Sequence, residues 1–198
     1  MRHKSKNHYL LAHSLMPKIK FNSQSKFYHM SFAYQVHPHF PELDWLLLNY
    51  QINKMMPIYE IEVLSFVMMT THCHLLLKSK NKKENYFAHE LQKKLYPYLD
   101  ETCEIDKNPL EPITNLTQFL NTYRYIYRNP VEAKICYKCE DYRFSTLHAL
   151  LGQSEFAVNV IDPLSIIQNP IKILEWLNNT QQNDFFKTTK NQSQSLIY

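Results

Sequence analysis

The sequence predicts an α+β fold in which an antiparallel sheet of the ferredoxin-like, split βαβ type carries helices on one face, followed by a helical C-terminal extension. Three observations predict this class. Residues 27–128 have the patterns of strand, helix, strand, strand and helix, in the order of that motif. With 198 residues and 44% hydrophobic content, the chain can bury a core. Gly152 is the only glycine, so glycine-rich phosphate loops are excluded, and with them the P-loop and Rossmann nucleotide enzymes.

The first half of the chain alternates between strand and helix patterns. Residues Phe27–Val36 are aromatic and loosely alternating, which indicates a strand. Residues Pro41–Met55 carry apolar side chains at helical spacing behind a proline that suits a first turn, which predicts a helix. Two strands follow, Ile58–Met68 and His72–Lys78, joined by a turn at residues 69–71.

Two further helices are predicted after these strands, with a loop between them. Residues Asn85–Leu95 predict the first, which stops before a proline. Residues 97–112 are rich in proline and acidic side chains, as in a loop. Residues Ile113–Arg128 predict a strong helix that begins at Thr114 or Asn115 as its cap and ends at Asn129-Pro130.

The same patterns divide the chain into four parts. Residues 1–26 form a basic arm, and residues 27–152 form the main domain, which closes with a short helix over 144–151. Residues 153–180 form the helical extension, with one helix over 161–178 or two helices broken at Pro170. Residues 181–198 are polar and predict a mobile tail.

Charge is unevenly distributed along the chain. The formal net charge is +4, yet no acidic residue precedes Glu42, whereas the start carries six basic residues: Arg2, Lys4, Lys6, Lys18, Lys20 and Lys26. Such a segment can contact the phosphates of a nucleic acid, or it can be a solvated terminus. Charge alone leaves both interpretations open.

The apolar runs and the cysteines also indicate the cellular compartment that we expect for the protein. No apolar run is long enough to span a bilayer, and the start lacks the apolar core of a signal peptide, so we expect a cytoplasmic, nucleoid-associated protein with no membrane partner. Four cysteines are too few for a disulfide scaffold of this size. Cys136 and Cys139 form a lone Cys-x-x-Cys pair, for which reduced thiols are commoner than structural zinc.

Two short motifs, about fifty residues apart, carry the chemistry. His72 and His74 are two residues apart on a predicted strand, so both imidazoles lie on one face and can converge on a metal ion. Tyr125 and Asn129 are one turn apart on a predicted helix, so a phenol and an amide oxygen can approach one point. Together they provide a divalent-metal site and an oxygen nucleophile, the requirements for cutting a phosphodiester.

Each motif is weak when taken singly. His37-Pro38-His39 has the same His-x-His spacing but flanks a proline in a predicted loop, so we interpret it as structural or solvent-facing. Tyr123 and Tyr127 compete with Tyr125 for the nucleophile role. Because each is two residues, or about 200° of helix, from Tyr125, only one of the three can share a face with Asn129 at i, i+4 spacing.

The combination of motifs resembles the single-tyrosine HUH transposases, and most of all the REP-associated tyrosine transposases. The resemblance lies in an apolar strand followed by His-x-His and a second apolar strand (Phe66–Leu77), a helix ending Tyr-Ile-x-x-Asn-Pro-Val-x-Ala (Tyr125–Ala133), and an Asp-Tyr-x-Phe-Ser-Thr segment (Asp141–Thr146). It covers roughly residues 27–152. This chain departs from the family in its acidic stretch between the motifs and in having Lys134 where the family has a small glycine.

The resemblance implies a site and a reaction. His72 and His74 would ligate Mg²⁺ or Mn²⁺, Asn129 would complete the site through its amide oxygen, and Tyr125 would be the nucleophile that forms a 5′-phosphotyrosine. The implied partner is single-stranded or hairpin DNA. A homodimer is one arrangement that the sequence allows, with Tyr125 acting in its own subunit or in its partner's.

Other interpretations stay open at this point. Arg124 and Arg128 flank Tyr125 and either hold phosphates, together with Lys18, Lys20 and Lys26, or form a solvated stripe. The protein could also be a domesticated relative that binds DNA hairpins or regulates transcription without cleavage. A third, weaker function is a zinc-binding hydrolase that uses His72, His74 and cysteines.

Overall fold

A computed structural model describes residues 26–95, 109–154 and 157–179 of the chain. Residues 97–108 of the predicted loop over 97–112, the arm up to residue 25 and the polar tail lie outside the described residues. No helix in the described ranges is both long and apolar enough to cross a membrane. The elements are β1 (Lys26–Ala33), α1 (Pro41–Tyr59), β2 (Ile61–Met68), β3 (His72–Ser79), α2 (Glu84–Leu95), β4 (Leu110–Ile113), α3 (Leu116–Glu132), a 3₁₀ turn (Cys139–Asp141), α4 (Thr146–Leu150) and α5 (Pro170–Asn178).

The four strands form one antiparallel sheet in the order β2-β3-β1-β4. With α1 between β1 and β2, and α2 between β3 and β4, the chain has the βαββαβ connectivity of a ferredoxin-like core. The predicted α+β class and antiparallel sheet are confirmed. The tight turn between β2 and β3 closes with a hydrogen bond from the Met69 amide to the His72 carbonyl, 2.8 Å.

The two helices of the ferredoxin-like core share one face of the sheet, as predicted, and the later helices cover the opposite face. Helices α1 and α2 pack on one face, where Trp45, Ile52 and Phe87 belong to one buried cluster. Helix α3 packs on the other face with α4 and α5, in a second buried cluster that contains Phe119 and Ile173. The reason is the sheet's own composition, because its central strands are apolar on both faces.

Two helices extend beyond their predicted ends, and each contains a proline near its last turn. Helix α1 continues through Pro57 to Tyr59, so Ile58 ends a helix rather than beginning a strand. Helix α3 continues through Pro130 to Glu132 instead of ending at Asn129. A proline inside a helix removes one backbone donor, and its ring crowds the carbonyl four residues earlier. Packing against the sheet holds both helices together past this unfavourable position.

Strand β4 was not predicted. It is only four residues long, contains Pro112 and lies at the sheet edge beside β1, where a proline without an N–H is tolerated. Ile113, predicted as the start of a helix, therefore belongs to this strand. The helix itself begins after Asn115, whose side chain accepts from the Gln118 amide at 2.9 Å, so the predicted Asn115 cap is confirmed.

The Asp141–Thr146 segment ties helix α3 to the sheet. Thr146 Oγ1 accepts from the Phe66 amide at 2.9 Å and lies 3.0 Å from the hydroxyl of Tyr127. The Met68 amide donates to the Phe144 carbonyl at 3.0 Å. One buried hydroxyl thus joins the edge strand β2, the start of α4 and the inner face of α3, so this motif fixes the position of α3 over the sheet.

Candidate active site between the sheet and helix α3

His72 and His74 lie on the face of β3 that α3 covers. Side chains alternate along a strand, and the intervening Cys73 is buried in the core of the opposite face. Across the ladder, His72 is paired with Ala33 and His74 with Ser31. Because directly opposite residues share a face, both imidazoles have small neighbours on β1.

Tyr125 extends from α3 toward these histidines. Its ring centroid lies 5.4 Å from that of His74, in an edge-to-face arrangement, and the residue is 40% exposed. Asn129 follows one turn later, and its amide nitrogen donates to the Tyr125 carbonyl at 3.4 Å, which leaves the amide oxygen outside that bond. The helix therefore presents a phenol beside the histidine pair, with an amide one turn away.

The other two tyrosines face the core. Tyr123 is fully buried, and Tyr127 is 1% exposed with its hydroxyl on Thr146. Burial raises the pKa of both phenols above the ordinary value. Neither is open to a substrate in this arrangement, so Tyr125 alone among the three combines exposure with contact to the histidines.

His29 is a third histidine at the site, which sequence reasoning missed. Its Nε2 lies 3.1 Å from Nδ1 of His74, and its ring centroid lies 5.9 Å from that of Tyr125. Its Nδ1 lies 3.5 Å from a carboxylate oxygen of Glu111, the residue directly opposite it on β4. The alternation of side chains along β1 places His29 on the same face as Ser31, which is a feature of the sequence. Its position beside His74 depends on the register of β1 against β3.

The three imidazoles favour the neutral form. Burial lowers the pKa of His74, and His29 and His72 add to the effect, so that the pKa is about 3. Burial also lowers the pKa of His72. For His29, burial lowers the pKa while Glu111 opposes part of the shift. A neutral imidazole keeps a lone pair, as a metal ligand must.

Part of this arrangement fits a divalent cation. His74 is 4% exposed, and its Nε2 is buried without a hydrogen-bond partner among the described residues. The Nδ1 of His72 lies 3.1 Å from the Thr71 hydroxyl, a contact that does not involve its other nitrogen. Within the three described ranges, no three His, Cys, Asp or Glu side chains are arranged to hold a metal ion. A cation here would therefore depend on two imidazoles, the Asn129 oxygen and ligands from its substrate.

The two buried cysteines of the described residues, Cys73 and Cys139, do not join the histidines. Cys73 lies on the other face of the sheet, and burial raises the pKa of its thiol. Cys139 is buried with α3 and α5, where burial raises the pKa of its thiol to about 12. His37 and His39 are exposed in the loop before α1, as expected for the second His-x-His.

The arginines beside Tyr125 have a structural role, which corrects the expectation that they contact DNA. Each is only 4% exposed. Arg124 donates to the carbonyls of Trp176 and Asn179, and Arg128 donates to the Leu177 carbonyl at 3.0 Å. These carbonyls belong to the C-terminal end of α5, which leaves acceptors unsatisfied and carries partial negative charge. Both arginines thus cap α5 and hold it against α3.

The remaining basic residues predicted to bind DNA are not brought to this cluster. Lys26 is exposed at the opposite end of β1 from Ala33, the partner of His72. Lys18 and Lys20 lie outside the described residues. The described site is therefore built from histidine, tyrosine, asparagine and glutamate.

Comparison with known proteins shows a similarity of fold. The chain is similar to the solved structure of a REP-associated tyrosine transposase bound to a REP hairpin, with a TM-score of 0.54 and 15% identity over 75% of this chain and 92% of that chain. No protein-family model matches the chain, and no curated protein matches it significantly. At this level of identity the similarity shows that the two chains share a fold, one on which a tyrosine transposase is built.

Proposed function

We propose that the protein is a metal-dependent endonuclease and strand transferase for DNA, acting at single-stranded or hairpin-bearing sites through a 5′-phosphotyrosine intermediate. One observation carries the proposal: an exposed tyrosine, Tyr125, packs against His74 of the His-x-His pair in the same chain, while both neighbouring tyrosines are buried. The fold shared with a hairpin-bound tyrosine transposase supports the same class of reaction.

The proposed roles follow from the chemistry of each side chain. Tyr125 is the nucleophile, and His72, His74 and Asn129 hold Mg²⁺ or Mn²⁺. A bound cation supplies charge stabilisation at the scissile phosphate. A phenol is a weak nucleophile at neutral pH, so the contribution of α3 is to hold the oxygen of Tyr125 at the site.

The reaction is a transesterification. The phenolic oxygen of Tyr125 loses its proton and forms a bond to phosphorus. The bond from phosphorus to the 3′ oxygen of the preceding nucleotide breaks, and that oxygen takes up a proton to become a free 3′-OH. The number of phosphoester bonds is unchanged, so a 3′-OH can later attack the phosphotyrosine and rejoin the DNA without ATP.

The test uses the full chain with single-stranded hairpins from the flanks of its own gene and Mn²⁺. On a denaturing gel, a 3′-labelled strand should remain attached to the protein, and a 5′-labelled strand should be released as a shorter product. EDTA, Tyr125→Phe and His72→Ala should each abolish both products. Hairpin binding without any adduct would instead favour the relative that binds DNA or regulates transcription without cleavage.

A further inference from the structure

Three side chains at the site lie in a connected series, and the proposed catalytic set uses only one of them, His74. The Glu111 carboxylate lies 3.5 Å from Nδ1 of His29, and Nε2 of His29 lies 3.1 Å from Nδ1 of His74. His29 and Glu111 are directly opposite each other on β1 and β4, so the backbone ladder places them together.

The direction of the hydrogen bonds follows from counting protons. An ionised carboxylate only accepts, so the His29 nitrogen next to Glu111 carries the proton. Neutral His29 then has an acceptor at Nε2. The partner nitrogen, Nδ1 of His74, must therefore be the donor. Because a neutral imidazole carries one proton, this leaves Nε2 of His74 with a lone pair.

That Nε2 is the atom which is buried without a partner among the described residues. A buried polar atom without a partner is unfavourable, so this atom is a candidate to bind a ligand. Metal-bound histidines almost always donate their other N–H to a neighbouring acceptor, which fixes the tautomer and orients the ring. Here the acceptor is a second imidazole, itself held by a carboxylate.

We propose that Glu111 and His29 are positioning residues that fix the tautomer of His74, so that its Nε2 can bind a divalent cation. This inference rests on the proposed function in assigning a cation to the site. It adds that the affinity of the site for the cation depends on two residues that do not touch the cation.

The experiment measures tautomer and metal affinity separately, without DNA. Long-range ¹H–¹⁵N NMR of metal-free protein at neutral pH should show the proton of His74 on Nδ1. In His29→Leu this preference should be lost, and the dissociation constant for Mn²⁺, measured by electron paramagnetic resonance, should rise about 10–100-fold. His29→Gln, whose amide oxygen can accept the same bond, should recover part of the affinity.

Two further variants make the result interpretable. Glu111→Gln changes a side chain that is 80% exposed, so it should fold normally and weaken Mn²⁺ binding in the same direction by a smaller factor. His89→Leu makes the matched change at a histidine whose side chain is 72% exposed on α2, and should leave tautomer and affinity unchanged. If His29→Leu does not fold, Glu111→Gln decides the question.

A proton on Nε2 of His74 in the unsubstituted protein would overturn the inference. So would unchanged Mn²⁺ affinity in both His29→Leu and Glu111→Gln. The proposed function fails by a different result, which is the absence of any adduct with hairpin DNA. An adduct that forms normally in His29→Leu would leave the function intact and remove the positioning role.

Discussion

At the scale of single residues, Tyr125 and Tyr127 show how position on one helix separates two uses of the same side chain. Tyr125 is 40% exposed against His74, and Tyr127 is buried with its hydroxyl 3.0 Å from Thr146. The two residues are separated by about 200° of helix, so one contacts the site while the other packs in the core. Removing each hydroxyl should therefore have opposite consequences.

Tyr125→Phe should abolish the covalent adduct while changing the melting temperature little, because the ring stays and the residue is 40% exposed. Tyr127→Phe should keep the adduct but lower stability by about 1 kcal/mol, since one buried hydrogen bond is lost. Adduct gels and thermal unfolding measure the two effects. An adduct that persists in Tyr125→Phe and disappears in Tyr127→Phe would show that the wrong tyrosine has been chosen.

Sequence reasoning reached Tyr125 because its partner Asn129 is local, four residues along the same helix. It missed His29 because the contact with His74 depends on how β1 and β3 are aligned, and register is a tertiary property. It misjudged Arg124 for a similar reason. A surface arginine and an arginine that caps the end of another helix have the same sequence signature.

At the scale of elements, the end of α3 places a lysine in a backbone conformation that favours glycine. Lys134 has φ +60°, in the left-handed region. Its amide donates to the Val131 carbonyl, and the Ile135 amide donates to the Pro130 carbonyl, which together form a Schellman motif. That motif usually has glycine at the left-handed position, because a Cβ is strained there.

Lys134→Gly should therefore stabilise the protein by about 1 kcal/mol, because it relieves the left-handed strain. The melting temperature should rise by about 2–4 °C for a chain of this size. Lys138, with φ −130°, provides the matched control. Lys138→Gly should lower stability, since it only adds freedom to the unfolded chain. A loss of stability in Lys134→Gly would mean that the lysine side chain contributes more than the strain costs.

The start of α2 offers a pH-dependent prediction. Glu84 is 5% exposed at the first residue of the helix and accepts a 2.6 Å hydrogen bond from the Tyr28 hydroxyl on β1. Burial raises the pKa of Glu84, but hydrogen bonds to the carboxylate, including that from Tyr28, lower it by more. The ionised form is therefore the one that stabilises the fold, and the N-terminus of a helix also favours a negative charge.

Because the folded pKa lies below the unfolded value, this stabilisation is present above about pH 4.5 and is lost as the pH falls through the folded pKa. Glu84→Gln should lower the free energy of unfolding by about 1.5–3 kcal/mol at pH 7, the usual contribution of a hydrogen bond to a charged group. Urea titrations at pH 7 and pH 3.5 should show the difference shrinking in acid. Glu90→Gln, on the same helix, should show little effect at either pH. A difference for Glu84→Gln that is equal at both pH values would contradict this assignment.

Secondary-structure elements with long, regular apolar patterns were predicted more accurately than those that depend on contacts with the rest of the fold. The central strands and α3 were predicted correctly in type because their apolar patterns are long and regular. Strand β4 was missed because four residues with a proline are held by pairing with β1, not by their own pattern. Helix α3 was predicted to end at Asn129-Pro130 because the proline was taken as a stop, and α1 was predicted to end at Met55. Packing against the sheet carries both helices further, to Glu132 and Tyr59.

At the scale of the whole molecule, one sheet separates two cores with different roles. The face that α1 and α2 cover has a buried apolar cluster and a buried carboxylate, Glu84, whereas the face that α3 covers carries His29, His72 and His74 beside its apolar cluster. Arg124 and Arg128, both buried, hold α5 against α3. With both arginines buried, the phosphate contacts that a DNA-binding role requires must come from other basic residues.

The basic arm is the first candidate for those contacts, because no acidic residue precedes Glu42. Each single-strand phosphate contact contributes about 0.7 to the slope of log affinity against log salt, through release of counterions. Removing residues 1–20 deletes Arg2, Lys4, Lys6, Lys18 and Lys20, and should weaken hairpin binding while reducing this slope. Replacing Lys93 and Lys94, exposed on α2 away from the site, with glutamine is the control and should leave the slope unchanged. Identical slopes for the full and truncated chains would show that the arm is a solvated terminus, and the phosphate contacts would then have to be sought in the described core.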